Sequence, residues 1–337
     1  MSWTTSVRKV AGRALPPSWR LRLRHSAVGR PADYRWTRRT AAAYRAHAVR
    51  CRRQYPGRAG QAATLETFTW LQLWPVPQGG SPSPVTPSDW PALVARVAAA
   101  AADAFSRTTL SWLHPPVAHP RPLAADTPEV QRGEVVIQKL TEPLTLDGLR
   151  ELCDALVPRL EQHVLRAYAK VDSVQVSRTY VSPLTPGGSF LWHHDEFPRE
   201  VLKLLIYLNE VDEDTAPFTY LEDAGGRPVI GSPTPMLAAS RITPERMEAY
   251  LARGGSVRAL TGPPGTCVLF SPAIVHRATV ARRGYRDALF LTLRPWDAPR
   301  RPYVDPRWTA TVRHHDFSRD PEADLPPVLG FSFPSRG

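Results

Sequence analysis

Apolar and polar positions change period several times along the chain, and each change marks an element. Leu149, Leu152, Cys153, Leu156, Leu160 and Val164 recur three and four residues apart. That spacing is one face of an amphipathic helix, expected within 145–170 and kinked or split at Pro158. In 173-SVQVSRTYV-181 the period drops to two, with Val174, Val176 and Tyr180 alternating with Ser173, Gln175, Ser177 and Thr179. A half-buried strand has that pattern. The stretch 200-EVLKLLIYLN-209 is a near-continuous apolar strand interrupted by one lysine. Further strands are expected at 134–140, 217–221, 256–260, 266–270, 274–280 and 286–294. Helices are expected at the alanine-rich 92–106, at 243–255 where glycine stops it, and at 38–55, where Tyr44, Ala48, Cys51 and Tyr55 keep helical spacing. Two Pro-rich stretches, 75–91 and 115–127, read as linkers or long loops. There is no internal repeat. Short strands divided by turns, with helices mostly in front of them, suggest a jelly roll or barrel with helical cover.

Composition agrees with that picture. The 337 residues are 42% apolar and include 36 prolines, well above an average share of roughly 5%, which disfavours long helical bundles. Cys51, Cys153 and Cys267 are odd in number and far apart. A disulfide framework or cysteine zinc site is therefore not expected, and a reducing cytoplasm is the expected location. No apolar run approaches the ~18 residues of a membrane helix, and the basic first residues lack the apolar segment of a secretory signal. Charge is uneven. Residues 1–60 hold 15 basic residues and one acid, Asp33, for a net +14, while the remainder holds 28 basic and 30 acidic residues. The chain is thus a near-neutral body with a basic N-terminal arm. Tryptophan and tyrosine interleave with arginine there, which suits an anionic partner; a solvated or docking face is the commoner use of such a run.

The chemistry concentrates in 191-LWHHDEF-197. On an extended chain, residues two apart point the same way, so His193 and Asp195 can share one ion while His194 turns aside. An imidazole and a carboxylate suit a borderline divalent metal, and a second histidine completes a facial triad with open positions. A His-x-Asp pair alone is weak, since roughly half of one is expected by chance here and context must decide. A second copy, His314 and Asp316, lies in a polar, proline-flanked tail with no histidine after it, and reads as a surface feature. The first copy is followed by strands, by His276 within 274-IVHRATV-280, and by Arg286 at the start of another strand.

The segments 192-WHHDEF-197, 205-LIYLNEVDEDTAPFTYLE-222, 263-PPGTCVLFSPAIVHRAT-279 and 286-RDALFLTL-293 resemble the Fe(II)/2-oxoglutarate-dependent oxygenases, most closely their phytanoyl-CoA dioxygenase-like branch. The resemblance spans roughly 134–295. It implies an α+β chain with a double-stranded β-helix (jelly-roll) core and N-terminal and flanking helices. It implies that His193, Asp195 and His276 hold iron, and that Arg286 binds the distal carboxylate of 2-oxoglutarate, for which a guanidinium fork is suited. The implied activity consumes dioxygen and 2-oxoglutarate, releases succinate and carbon dioxide, and oxidises a C–H bond of a small-molecule substrate, whether metabolite, lipid or natural-product intermediate. Related halogenases carry a small residue in place of the carboxylate, so Asp195 argues for hydroxylation or a related oxidation. Ala216 stands where the family has glycine in its "TGP", and 222-EDAGGRP-228 replaces the familiar "GSH".

The expected organisation is a basic arm with a helix at 1–60, a helical and Pro-rich cover or linker at 61–130, the core at 131–300 and a Pro-rich tail at 301–337. Lys203 and Tyr207 share one strand face, as do Arg178 and Tyr180; all four read as barrel framing and stay outside the expected site. Trp192 and Phe197 read as packing, and the acidic stretch Glu210, Asp212, Glu213 and Asp214 as a solvated turn. The rival reading is a non-catalytic jelly-roll binding protein that uses its basic arm for nucleic acid or an anionic surface.

Overall fold

The computed structural model describes residues 71–74, 83–107, 111–114, 121–122, 135–140, 143–165, 169–182, 188–195, 201–231 and 241–295. The expected helix at 38–55, Phe197, the basic arm, and the tail with His314 and Asp316 lie outside the described residues. The elements in chain order are β1 (Leu71–Trp74), α1 (Trp90–Ser106), β2 (Ser111–His114), β3 (Arg121–Pro122), β4 (Ile137–Leu140), α2 (Leu149–Leu160), β5 (Ala169–Tyr180), β6 (Leu202–Tyr207), β7 (Phe218–Glu222), α3 (Pro244–Ala252), β8 (Ser256–Leu260), β9 (Cys267–Phe270), β10 (His276–Arg277) and β11 (Tyr285–Pro295).

The strands form two antiparallel sheets, one of eight in the order β1-β9-β6-β11-β5-β4-β2-β3 and one of three in the order β10-β7-β8. Strand alternation divides the apolar residues into layers. Leu202, Leu204 and Ile206 of β6, Cys267 and Leu269 of β9, and Leu289, Leu291 and Leu293 of β11 pack with α1 and α2 on one face of the large sheet. Leu205 and Tyr207, Val268 and Phe270, and Ala288 point the other way, onto Phe218 and Tyr220 of β7. Beyond the small sheet, Leu221, Val229 and Val275 pack on Ile242 and Met247. β6 is apolar almost throughout because both of its faces are covered, and each leucine buried there stabilises the fold by about 1.5–3 kcal/mol.

The elements follow local chemistry. In α1, Trp90, Leu93, Val94, Val97, Ala101, Ala104 and Phe105 keep helical spacing and are the buried residues. α3 begins at Thr243, whose hydroxyl accepts from the Arg246 N–H, followed by Pro244. It ends where Gly254 takes a left-handed φ of 84° and returns its N–H to the Leu251 carbonyl. α2 continues through Pro158 to Leu160, and the hydrogen bonding changes at Glu161–Leu165, a π-helical turn.

Some elements differ from expectation. Of the expected strand at 274–280, only His276 and Arg277 pair as strand β10. β1 pairs with β9, and β2 joins β4 to β3, so residues from 61–130 extend the large sheet. β3 is two residues long with Pro122 in an edge strand, where proline is tolerated. Among the described residues no helix is long and apolar enough to cross a membrane.

Candidate metal centre

His193 and His276 face each other across a two-way backbone pair. The His193 N–H donates to the His276 carbonyl at 3.0 Å, and the His276 N–H donates to the His193 carbonyl at 2.8 Å. Their rings consequently lie side by side, with centroids 4.5 Å apart. Asp195 is anchored by its own N–H on the Pro272 carbonyl at 2.8 Å. Its Oδ1 lies 3.5 Å from His193 Nε2, and its Oδ2 lies 3.8 Å from His276 Nε2. One ligand atom from each of the three residues falls within 4.8 Å of the others. His194 is buried on the opposite side of the chain. There it meets the backbone of Gly231 so closely that a Cβ on that glycine would sit 2.0 Å from the ring.

Both rings are oriented alike. His193 Nδ1 lies 2.8 Å from the Leu191 carbonyl, and His276 Nδ1 lies 2.8 Å from the Ile274 carbonyl. A carbonyl only accepts, so each Nδ1 carries a proton and each Nε2 is the ring nitrogen turned toward the centre. Burial, with the neighbouring His193 second, pushes the His276 pKa down from 6.5 to about 3, and the ring is neutral at ordinary pH. Burial opposes charge on Asp195, but the Lys203 ammonium and the two histidines outweigh it and hold the carboxyl well below its usual range.

Lys203, read from the sequence as barrel framing, belongs to this site. Its Nζ lies 2.5 Å from Asp195 Oδ2. Tyr207 also turns inward; its hydroxyl donates to the Leu260 carbonyl at 2.6 Å and accepts from the Phe218 N–H at 3.0 Å. Phe218 and Phe270 complete the wall, each with its ring centroid 5.5 Å from that of His276. Arg178 and Tyr180 face the helical layer instead. Arg178 pairs with Asp287 at 2.7 Å and lies over the Phe105 and Tyr285 rings.

Arg286 sits on the inner face of β11, opposite Thr179, and is 3% exposed. Its Nη1 donates to the Ala216 carbonyl at 2.6 Å and its Nη2 to Thr179 Oγ1 at 3.2 Å. Among the described residues its Nε has no acceptor. Ala216 takes a left-handed φ of 63°, a backbone state that favours glycine. Three arginines near it in sequence lie elsewhere: Arg282 and Arg283 pair with Asp214 and Asp212 on the surface, and Arg277 lies over the Trp192 ring. In the acidic stretch, Asp212 Oδ1 accepts from the N–H groups of Asp214 and Thr215, which closes a turn. The sequence left Lys139 unassigned. It lies on β4 opposite Ser177, on the inward side, and burial and the charge of Lys203 pull its pKa down to about 8.

The donor set fits a borderline divalent ion. It comprises two imidazole nitrogens held facing inward and one ionised carboxylate, with no thiolate. No family model matches the chain, and no curated protein matches it. Among solved structures it is similar to EctD from S. alaskensis with bound Fe, at 16% identity over 75% of this chain and 85% of that one, with a TM-score of 0.42. EctD with 2-oxoglutarate and 5-hydroxyectoine gives 16% identity over 73% and 82%, with a TM-score of 0.43. SnoN, described as a non-heme alpha ketoglutarate dependent epimerase from nogalamycin biosynthesis, gives 14% over 64% and 88%, with a TM-score of 0.37.

Proposed function

We propose that the chain is an Fe(II)- and 2-oxoglutarate-dependent dioxygenase that hydroxylates a small metabolite, lipid or natural-product intermediate, releasing succinate and carbon dioxide. The observation that carries this reading is the convergence of His193, Asp195 and His276, with both Nε2 atoms turned inward. In this reading the jelly-roll core is a double-stranded β-helix of two facing sheets, spanning residues 131–300. The arm at 1–60, the cover at 61–130 and the tail at 301–337 are accessory to it. Two free, buried cysteines, Cys153 and Cys267, are in keeping with a reducing cytoplasm.

His193, Asp195 and His276 would hold the iron, a donor set that leaves it open to the 2-oxo acid and dioxygen. Iron bound there would supply the dioxygen chemistry that oxidises 2-oxoglutarate to succinate and carbon dioxide and hydroxylates a substrate C–H bond. The residues orient. Arg286 presents its buried fork to the distal carboxylate of 2-oxoglutarate, and the enclosing protein strengthens that contact relative to water. Lys139 adds positive charge to the same enclosed space, which suits a dianion. Phe218 and Phe270 keep the His276 side of the centre apolar.

Anaerobic absorption spectroscopy tests the proposal. Protein with Fe(II) and 2-oxoglutarate develops a weak visible charge-transfer band that needs both additions. His276→Ala abolishes it, and Arg286→Ala moves it to higher 2-oxoglutarate concentration. Folded wild-type protein that gives no band refutes the proposal.

A further inference from the structure

Lys203 is the one charged residue of β6, 202-LKLLIY-207, in a strand otherwise buried on both sides. The register places it between Phe270 of β9 and Thr292 of β11, on the side that faces the small sheet. Its Nζ reaches Asp195 Oδ2 at 2.5 Å, while Oδ1 is the oxygen nearer His193 Nε2, at 3.5 Å. Oδ2 also lies 3.8 Å from His276 Nε2, a longer approach than Oδ1 makes to His193, and of the two oxygens it is the one that carries the ammonium contact.

Resting on the metal site proposed above, we propose that Lys203 is a positioning residue that holds Oδ2 of Asp195, so that the carboxylate offers Oδ1 alone to the metal ion. A carboxylate binds a cation through one oxygen or two. Two imidazoles and a two-oxygen carboxylate fill four of six octahedral positions and leave two. A chelating 2-oxo acid and dioxygen require three. A charge-assisted hydrogen bond on Oδ2 occupies the lone pairs that a two-oxygen mode needs, and so preserves the third position. The ammonium also repels the ion, a cost that a chain selected for metal affinity alone would avoid; keeping a lysine here favours coordination number over affinity.

The probe is Mn(II), which takes octahedral oxygen and nitrogen ligands and whose coordinated waters are counted by water-proton relaxation. Full-length, metal-depleted protein is titrated with Mn(II), without 2-oxoglutarate. Wild type binds with three inner-sphere waters. Lys203→Met falls to two, a loss of about one third of the inner-sphere relaxivity, and Lys203→Arg restores three. Two waters in wild type overturn the inference without any variant. Three waters in folded Lys203→Met, with tighter Mn(II) binding, overturn it as well and leave Lys203 as a counter-ion of the metal-free carboxylate. Wild type that binds no Mn(II), or His276→Ala that binds it equally, sinks the metal site itself, a result separate from the other two.

Discussion

His276 should make the metal-free protein acid-sensitive by a predictable amount. Its ring is neutral in the fold, with a pKa held from 6.5 down to about 3 by burial first and by His193 second. In the unfolded chain the same ring takes up a proton near pH 6.5. A depressed folded pKa gives stability that is fully present above 6.5 and is lost as pH falls, because only the unfolded state binds the proton. Between pH 7 and pH 4.5 the loss from this residue is about 2.5 kcal/mol by linkage. That figure hardly depends on the depth of the folded pKa, since pH 4.5 stays above it. Asp195 contributes little over this interval, because its carboxyl titrates below the ordinary 3.8 in the fold and the acid limb of its contribution lies lower still. His276→Gln removes the titration and keeps a polar side chain. Urea denaturation of both proteins in chelator, at pH 7 and 4.5, should show wild type losing about 2.5 kcal/mol more than the variant. Equal losses would mean that His276 is protonated in the fold, and an imidazolium cannot be a ligand.

Tyr207→Phe should cost about 1–3 kcal/mol in denaturant unfolding, because the buried hydroxyl satisfies the Leu260 carbonyl and the Phe218 N–H and so ties the large sheet to the small one; a loss under about 0.5 kcal/mol would contradict this. Gly231→Ala should weaken Mn(II) binding about 10- to 100-fold, in the manner of outer-shell changes, because the new Cβ falls within 2.0 Å of the His194 ring and that residue sits between two ligands. Unchanged affinity in competition with a chelator would show that His194 moves without disturbing its neighbours.

How much of this could be read in advance varied with what each signal encodes. β5 and β11 were legible because alternation along a long strand records two faces directly. β6 was legible because a strand covered on both sides is apolar throughout. β1, 71-LQLW-74, has four residues at an edge, too few to separate strand from loop. β10 is two residues long because the regular ladder to β7 holds only for His276 and Arg277; Ile274 and Val275 add an isolated bridge and single backbone bonds to 229–230 and Leu221. The two ligands on one chain segment were legible from their spacing of two. His276 was legible only through its order after them, and the backbone pair that joins it to His193 is a tertiary fact. Arg286 and Arg294 share a face in the pattern; the register, which sets Arg286 opposite Thr179 and within reach of the Ala216 carbonyl, shows where Arg286 is held.

The contact of Lys203 with Asp195 has no signature in the sequence. A lysine in an apolar strand carries no local signal that distinguishes an edge-facing stem from a buried ammonium. The distinction comes from neighbours on β9 and β11 that place position 203 over the space between the sheets. The same alternation explains the arrangement as a whole. The face of the large sheet toward α1 and α2 carries leucine and valine and supplies cohesion. The opposite face carries Lys139, Lys203, Thr179 and Arg286 among its apolar residues. Buried cations cost desolvation energy that leucines in their place would not, so this face lowers stability for which the helical face compensates. Residues that break a local rule in this way gather where chemistry is done, and here they gather around the two histidines and the aspartate.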